Sequence, residues 1–274
     1  MRLGISSFTY GWAIGVEGNM PSVPMTELDL IQQTLRFGLS CLQIGDNLPL
    51  HTFSQERLSH LRKQLTDNQI RIEVGARRMT AEHLMTYIEI ARFLNASLVR
   101  FVIDGENYEP DSEEIISIIR RILPLLTQYQ ITLGIENHDR LRAKELASIL
   151  KKIDSDKVGI CLDCVNSMGA GEGLEYVAEI LAPYTVNLHI KDFTVRRLPH
   201  KMGFTVEGVP AGKGMIQLDF LLKKIKAFQR CKSAILEQWV VPDKDIDSTV
   251  KKEKIWAEES IQYLQTISYS WDEC

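Results

Sequence analysis

Thr132-Leu-Gly-Ile-Glu-Asn-His138, Val158-Gly-Ile-Cys-Leu-Asp163, Thr185-Val-Asn-Leu-His-Ile-Lys191 and Ala234-Ile-Leu-Glu-Gln238 are short apolar runs that each deliver a carboxylate or an imidazole near the C-terminal end. Each has the length of a strand, and apolar residues between the runs recur at spacings of three and four, as on a helix face. Outward from these runs the alternation continues to both ends of the chain. Strands are expected at 3–8, 41–45, 71–75, 98–104, 132–136, 158–163, 185–191 and 234–239, and helices at 26–36, 55–66, 81–94, 113–128, 143–152, 174–181, 218–227 and 250–266. Asp111-Ser-Glu-Glu114 and Thr80-Ala-Glu-His83 supply a cap and an acidic first turn for two of the helices. Eight strand–helix units favour one closed (β/α)8 TIM barrel over an open doubly wound sheet. The expected organisation is a single domain over 1–274, with a long irregular rim connection at 193–217 that carries Arg196, Arg197, His200 and Lys213.

In such a barrel the C-terminal strand ends converge on one rim. Glu136, Asp163, His189 and Glu237 therefore meet in space although the sequence scatters them. Three of them are carboxylates within apolar runs, where an unpaired charge is costly and a bound cation removes the cost. The donors are mostly hard oxygens, so one divalent metal ion is expected: Mn2+, Mg2+ or Co2+, with Zn2+ also compatible. Such an ion polarises a carbonyl and stabilises an enediolate, leaving a carboxylate to act as base. Strand alternation aims Arg77, His138 and Lys191 at the same rim, and Asn166 follows Asp163 by three residues; these four are the expected substrate-binding residues. Phe8, Tyr10 and Trp12 are read as an aromatic wall over a sugar-sized ligand.

The 274 residues are 45% hydrophobic and 25% charged, with a formal net charge of -4. That balance offers no general attraction for polyanions. The expected partners are a small sugar, sugar acid or sugar phosphate, with no nucleic acid and no membrane. The cysteines Cys41, Cys161, Cys164, Cys231 and Cys274 are odd in number and widely spread, which is unlike a disulfide framework. Cys161 and Cys164 are read as small apolar fillers. Met1 to Gly4 enters a strand with no signal-peptide pattern, and no uncharged apolar stretch reaches membrane-spanning length, so a cytoplasmic location is expected. Gly169-Ala-Gly-Glu-Gly173 reads as a helix-opening turn. For oligomeric state two expectations stand: pairing into a homo-oligomer, or packing of Trp256, Tyr263, Tyr269 and Trp271 on the home barrel.

The succession I-E-N-H, C-L-D, N-L-H-I-K-D and I-L-E-Q, with the later V-P-A-G-K-G-M-I-Q-L-D-F, resembles the xylose isomerase-like barrels that include sugar phosphate isomerases and epimerases. The resemblance implies a metal shell of Glu136, Asp163, His189 and Glu237. By similarity to the ketose 3-epimerase branch it also implies an acid–base pair of Glu136 and Glu237. That branch and the DNA-repair endonuclease branch carry a His three residues after the metal-binding Asp, where this chain has Asn166, which cannot exchange protons near neutral pH. The implied activity is a divalent-metal-dependent isomerase or epimerase of a small sugar or sugar derivative, working by proton abstraction through a metal-stabilised enediolate. The alternative is a lyase on the same scaffold, either a decarboxylase of a 3-oxo sugar acid such as 3-oxoisoapionate or a dehydratase. A non-catalytic barrel that binds sugar or a partner protein is the remaining reading, and it predicts no bound metal.

Overall fold

Parallel strands β1 (Arg2–Ser6), β2 (Cys41–Ile44), β3 (Arg71–Arg77), β4 (Leu98–Val102), β5 (Thr132–Glu136), β6 (Val158–Asp163) and β7 (Thr185–Ile190) are followed by an antiparallel hairpin, β8 (Asp192–Arg197) and β9 (Phe204–Val209), and by β10 (Ser233–Leu236). All but the hairpin pair side by side, and β10 closes the ring between β7 and β1. The fold is thus a single (β/α)8 barrel, seen in a computed structural model that describes residues 1–267. Cys274, Tyr269 and Trp271 lie outside the described residues.

The outer layer comprises α1 (Gly11–Ile14), α2 (Glu27–Arg36), α3 (Gln55–Asp67), α4 (Ala81–Leu94), α5 (Ser112–Tyr129), α6 (Ala143–Ile153), α7 (Leu174–Leu181), α8 (Leu218–Lys226) and α9 (Ile246–Thr266). Leu84, Ile88 and Ala91 on α4 and Ile115, Ile119, Ile122 and Leu126 on α5 turn inward at helical spacing and are buried. No described helix is long and apolar enough to cross a membrane. Several expected ends shift for identifiable reasons. The first strand stops at Ser6 because Ser6 and Thr9 form a reciprocal capping box that turns the chain into a 3-10 helix. The last helix starts four residues early because the Asp245 side chain caps it, accepting from Ser248 N at 2.7 Å.

The irregular connection expected at 193–217 contains an antiparallel hairpin. Phe193, Val195, Phe204 and Val206 are aromatic or β-branched, and their alternation with polar residues supports the β8–β9 ribbon. Asp192 fastens the returning chain: Oδ2 accepts from Gly212 N and Gly214 N, both at 2.9 Å, and Oδ1 from Ile216 N at 3.1 Å. Gly208 lets the ribbon lie against the end of β10, since a Cβ there would fall 1.9 Å from the Trp239 carbonyl oxygen. Two basic residues of this segment have local partners. Lys213 pairs with Glu259 at 2.9 Å, and Arg197 lies 4.3 Å from the Phe204 ring centroid. Tyr263 packs on its own barrel beside the Gly212 turn.

Candidate functional site

Pairing register brings the four dispersed runs together. Asp163 on β6 lies opposite His189 on β7, His189 opposite Ile235 on β10, and Glu237 follows that strand with its amide donating to Ile190 O at 2.9 Å. Glu136 ends β5. All four side chains are buried. Each carboxylate has one anchored oxygen and one that faces His189. Asp163 Oδ1 accepts from Val165 N and Asn166 N at 2.9 and 3.0 Å, while Oδ2 lies 3.7 Å from His189 Nδ1. Glu136 Oε1 accepts from Asn166 Nδ2 at 2.8 Å, and Oε2 lies 3.6 Å from that nitrogen. Glu237 Oε1 accepts from Ser6 Oγ at 3.2 Å, and Oε2 lies 3.4 Å from the same nitrogen.

Among the described residues, His189 Nδ1 is buried with no hydrogen-bond partner. Its other nitrogen is committed: Nε2 sits 2.7 Å from Gln43 Oε1. The orientation of that amide is itself fixed, because Gln43 Nε2 donates to Glu73 Oε2 at 2.9 Å and to Asn187 Oδ1 at 3.2 Å. Gln43 Oε1 therefore faces the imidazole and Nε2 carries a proton, so Nδ1 is the ring nitrogen turned to the three carboxylate oxygens. That is a cage of donors able to hold a cation. Donors around an ion with bonds of about 2.1 Å lie roughly 3.0–3.4 Å apart; each carboxylate stands 3.4–3.7 Å from His189 Nδ1, and the ligating atoms of Asp163, His189 and Glu237 lie within 4.8 Å of one another.

Electrostatics agree with the geometry. Burial alone would depress the His189 pKa, but Glu237 and Glu136, with Asp163, outweigh it and raise it, so the cage favours positive charge. Lys191 occupies part of that field, with Nζ 2.6 Å from Asp163 Oδ2 and 3.0 Å from Glu237 Oε2. Burial works against both members of the Lys191–Asp163 pair. Their attraction prevails, so the ammonium rises well above its usual range and the carboxyl falls well below its own. Cys161 stands nearer the cluster than a filler would, with its ligating atom within 4.8 Å of those of Glu136 and His189. Its thiol is engaged, with Sγ 2.9 Å from Asn187 Oδ1, and burial pushes its pKa far up. The described cysteines are free and buried.

Above the cage a cavity of about 280 Å3 is lined by Arg77, His138, Asn166 and Lys191, the four expected substrate residues, together with Phe8, Trp239, Glu136 and Glu237. Asp163 and His189 are buried and do not line it. The aromatic wall differs from the expectation. Tyr10 is buried with its hydroxyl 3.5 Å from Gln33, and Trp12 donates its indole N–H to Val240 O at 2.9 Å, so Trp239 joins Phe8 at the cavity instead. Sequence reading also missed Arg100, which is buried and donates to Glu136 Oε2 and, at 2.7 Å, to Asp46 Oδ1. The signal was present as a lone charge inside Leu98-Val-Arg-Phe-Val102, and Gln43 and Glu73, register partners on β2 and β3, were similarly visible as polar breaks.

The family described as "Xylose isomerase-like TIM barrel" matches residues 31–267. The chain is 31% identical over 266 residues to the 3-oxo-isoapionate decarboxylase of Pectobacterium atrosepticum, covering 97% of this chain and 96% of that one. Among solved structures, D-psicose 3-epimerase from Clostridium cellulolyticum H10 with D-tagatose superposes with a TM-score of 0.72 at 15% identity, over 100% of both chains. A xylose isomerase-like TIM barrel protein from Mycobacterium smegmatis in complex with magnesium does so with a TM-score of 0.70 at 13% identity, over 95% of this chain and 97% of that one. The named relatives include a decarboxylase and an epimerase, and one of these solved barrels holds a metal ion. The profile match, the near-full-length relative and the closed barrel together make this chain a member of the xylose isomerase-like TIM barrel family.

Proposed function

We propose that this protein is a divalent-metal-dependent lyase that decarboxylates a 3-oxo sugar acid. The single observation that carries the choice is the state of Glu136. Both of its oxygens already accept, from Arg100 Nε and from Asn166 Nδ2, and arginine is a donor that does not deprotonate. Epimerisation by two opposed carboxylates needs both of them free to exchange protons. Decarboxylation needs one proton delivered to one carbon. The 31% identity to a decarboxylase supports the same choice.

Glu136, Asp163, His189 and Glu237 would hold the cation. When bound, it supplies electrophilic polarisation of adjacent hydroxyl and carbonyl oxygens of the substrate. The chain's own residues do the rest. Lys191 lines the cavity and holds the substrate carboxylate by charge, and Arg77 lines it farther out. Phe8 and Trp239 cover the carbon skeleton and exclude water. Loss of CO2 breaks the bond between the carboxyl carbon and its neighbour, and the electron pair passes to the 3-oxo oxygen as an enediolate. Glu237 Oε2 then carries a solvent proton to the carbon that lost CO2, and the 3-oxo group re-forms. Asn166 orients Glu136 and a substrate oxygen without moving a proton.

Incubation of the metal-loaded protein with 3-oxo-isoapionate in D2O should release one CO2 per substrate consumed and leave one solvent deuterium in the product. Deuterium exchange into ketose substrates without CO2 release would replace this reading with isomerisation.

A further inference from the structure

A second cavity, of about 530 Å3, adjoins the first and shares Asp46 and Arg77 with it. Arg78 and Thr80 form part of its wall, and His51, His83 and Tyr87 form another. The arginine wall is specifically built. Arg78 takes a left-handed conformation, φ 63°, while its amide donates to Asp104 O at 3.0 Å and the Met79 amide to Ile103 O at 2.9 Å. Gly105 makes room for it, since a Cβ there would fall 2.5 Å from Arg78 Cβ. On the facing side the His51 and His83 rings meet edge to face at 4.9 Å, and Tyr87 OH lies 3.0 Å from His51 Nδ1.

Charge in this cavity does not balance. Asp46 is the one carboxylate in its lining, and Asp46 is bound to the buried Arg100 at 2.7 Å while Arg77 Nε stands 3.9 Å away. Among the described residues Arg78 forms no ion pair; its guanidinium lies 5.9 Å from the Tyr108 ring centroid. The surroundings also resist further positive charge. Burial first, then His51 and Arg78, hold the His83 imidazole below its usual pKa. An electropositive hollow that opens into a catalytic cavity is built to take an anion.

We propose that this second cavity is an oxyanion subsite, in which Arg77 and Arg78, with His51 and Thr80 as hydrogen-bonding neighbours, hold a phosphate or carboxylate at the substrate end remote from the reacting carbons. That the anion belongs to the substrate of the adjoining cavity rests on the function proposed above. That an oxyanion binds here does not.

The test is an NMR titration of the full-length protein with inorganic phosphate, and separately with malonate, against a sodium chloride control of equal ionic strength. The imidazole C–H resonances of His51 and His83 are assigned from His51→Gln and His83→Gln variants. The expected result is a saturable shift of both resonances. In Arg78→Met the affinity should fall at least tenfold, while Arg197→Met on the hairpin leaves it unchanged. Tighter phosphate binding identifies a phosphate ester as the natural group, and tighter malonate binding identifies a carboxylate. Shifts no larger than those of chloride, or full affinity in Arg78→Met, would overturn the subsite. His51→Gln provides a second check, because loss of phosphate affinity should follow there as well, read from His83. Phosphate binding that persists in a protein inactive on 3-oxo acids would keep the subsite and discard the decarboxylase reading.

Discussion

Glu237→Gln is expected to reduce turnover on a 3-oxo sugar acid by roughly 10^2–10^4-fold, the range that a positioned proton carrier contributes. The substitution keeps the volume and keeps an oxygen for Ser6 Oγ, which donates to Glu237 Oε1 at 3.2 Å. What it removes is the charge on Oε2, the atom 3.4 Å from His189 Nδ1 and 3.0 Å from Lys191 Nζ. Lys191 retains Asp163 at 2.6 Å, so the barrel should stay folded, with an unchanged far-ultraviolet circular dichroism spectrum and a cooperative thermal transition. In the parent site His189 and Lys191, with Arg100, hold the Glu237 carboxyl below its usual range against the effect of burial, which keeps it ionised at neutral pH. Wild-type turnover in the variant would remove Glu237 from both the cage and the proton path.

The largest stability effect should come from Arg100→Met. Arg100 is 4% exposed and neutralises two carboxylates at once, Glu136 and Asp46. Removing one partner of a buried ion pair while leaving the other typically costs about 3–5 kcal/mol. Its positive field also acts on Asp46, whose pKa falls because Arg100 outweighs burial. Urea denaturation of the metal-free protein should show that loss as a lowered midpoint at similar slope, and the double variant Arg100→Met/Glu136→Gln should recover part of it. An unfolding free energy within about 0.5 kcal/mol of the parent, the range of an ordinary surface substitution, would mean that Arg100 is not the counter-charge of the cluster.

Glu136, Asp163, His189 and Glu237 were legible in the sequence because each interrupts an apolar run at its C-terminal end, and a barrel has a single rim at which such ends meet. Parity also placed Arg77, His138 and Lys191 at the cavity that they line, since alternation fixes the side of a strand before any partner is known. Partners were the hidden part. Lys191, read as a group for substrate, lines the cavity and also bridges Asp163 and Glu237, and the strand pattern says nothing of which neighbour a flexible side chain takes. Gln43, Glu73, Asn187 and Ser233 form one buried polar network across β2, β3, β7 and β10, and its meaning lies in cross-strand register. The β8–β9 hairpin was misread because Arg196, Arg197 and the glycines obscured its alternation. Tyr10 and Trp12 do not line the cavity because the chain leaves the strand after Ser6 and turns into a 3-10 helix at Ser7.

One measurement tests the central claim directly: an anomalous difference map from crystals of the full chain grown with Mn2+. The expected result is one peak about 2.0–2.2 Å from His189 Nδ1 and from the inner oxygens of Glu136, Asp163 and Glu237, with Lys191 Nζ moved out toward the substrate cavity. A cage without a peak at saturating Mn2+, with Lys191 still bridging Asp163 and Glu237, would contradict it.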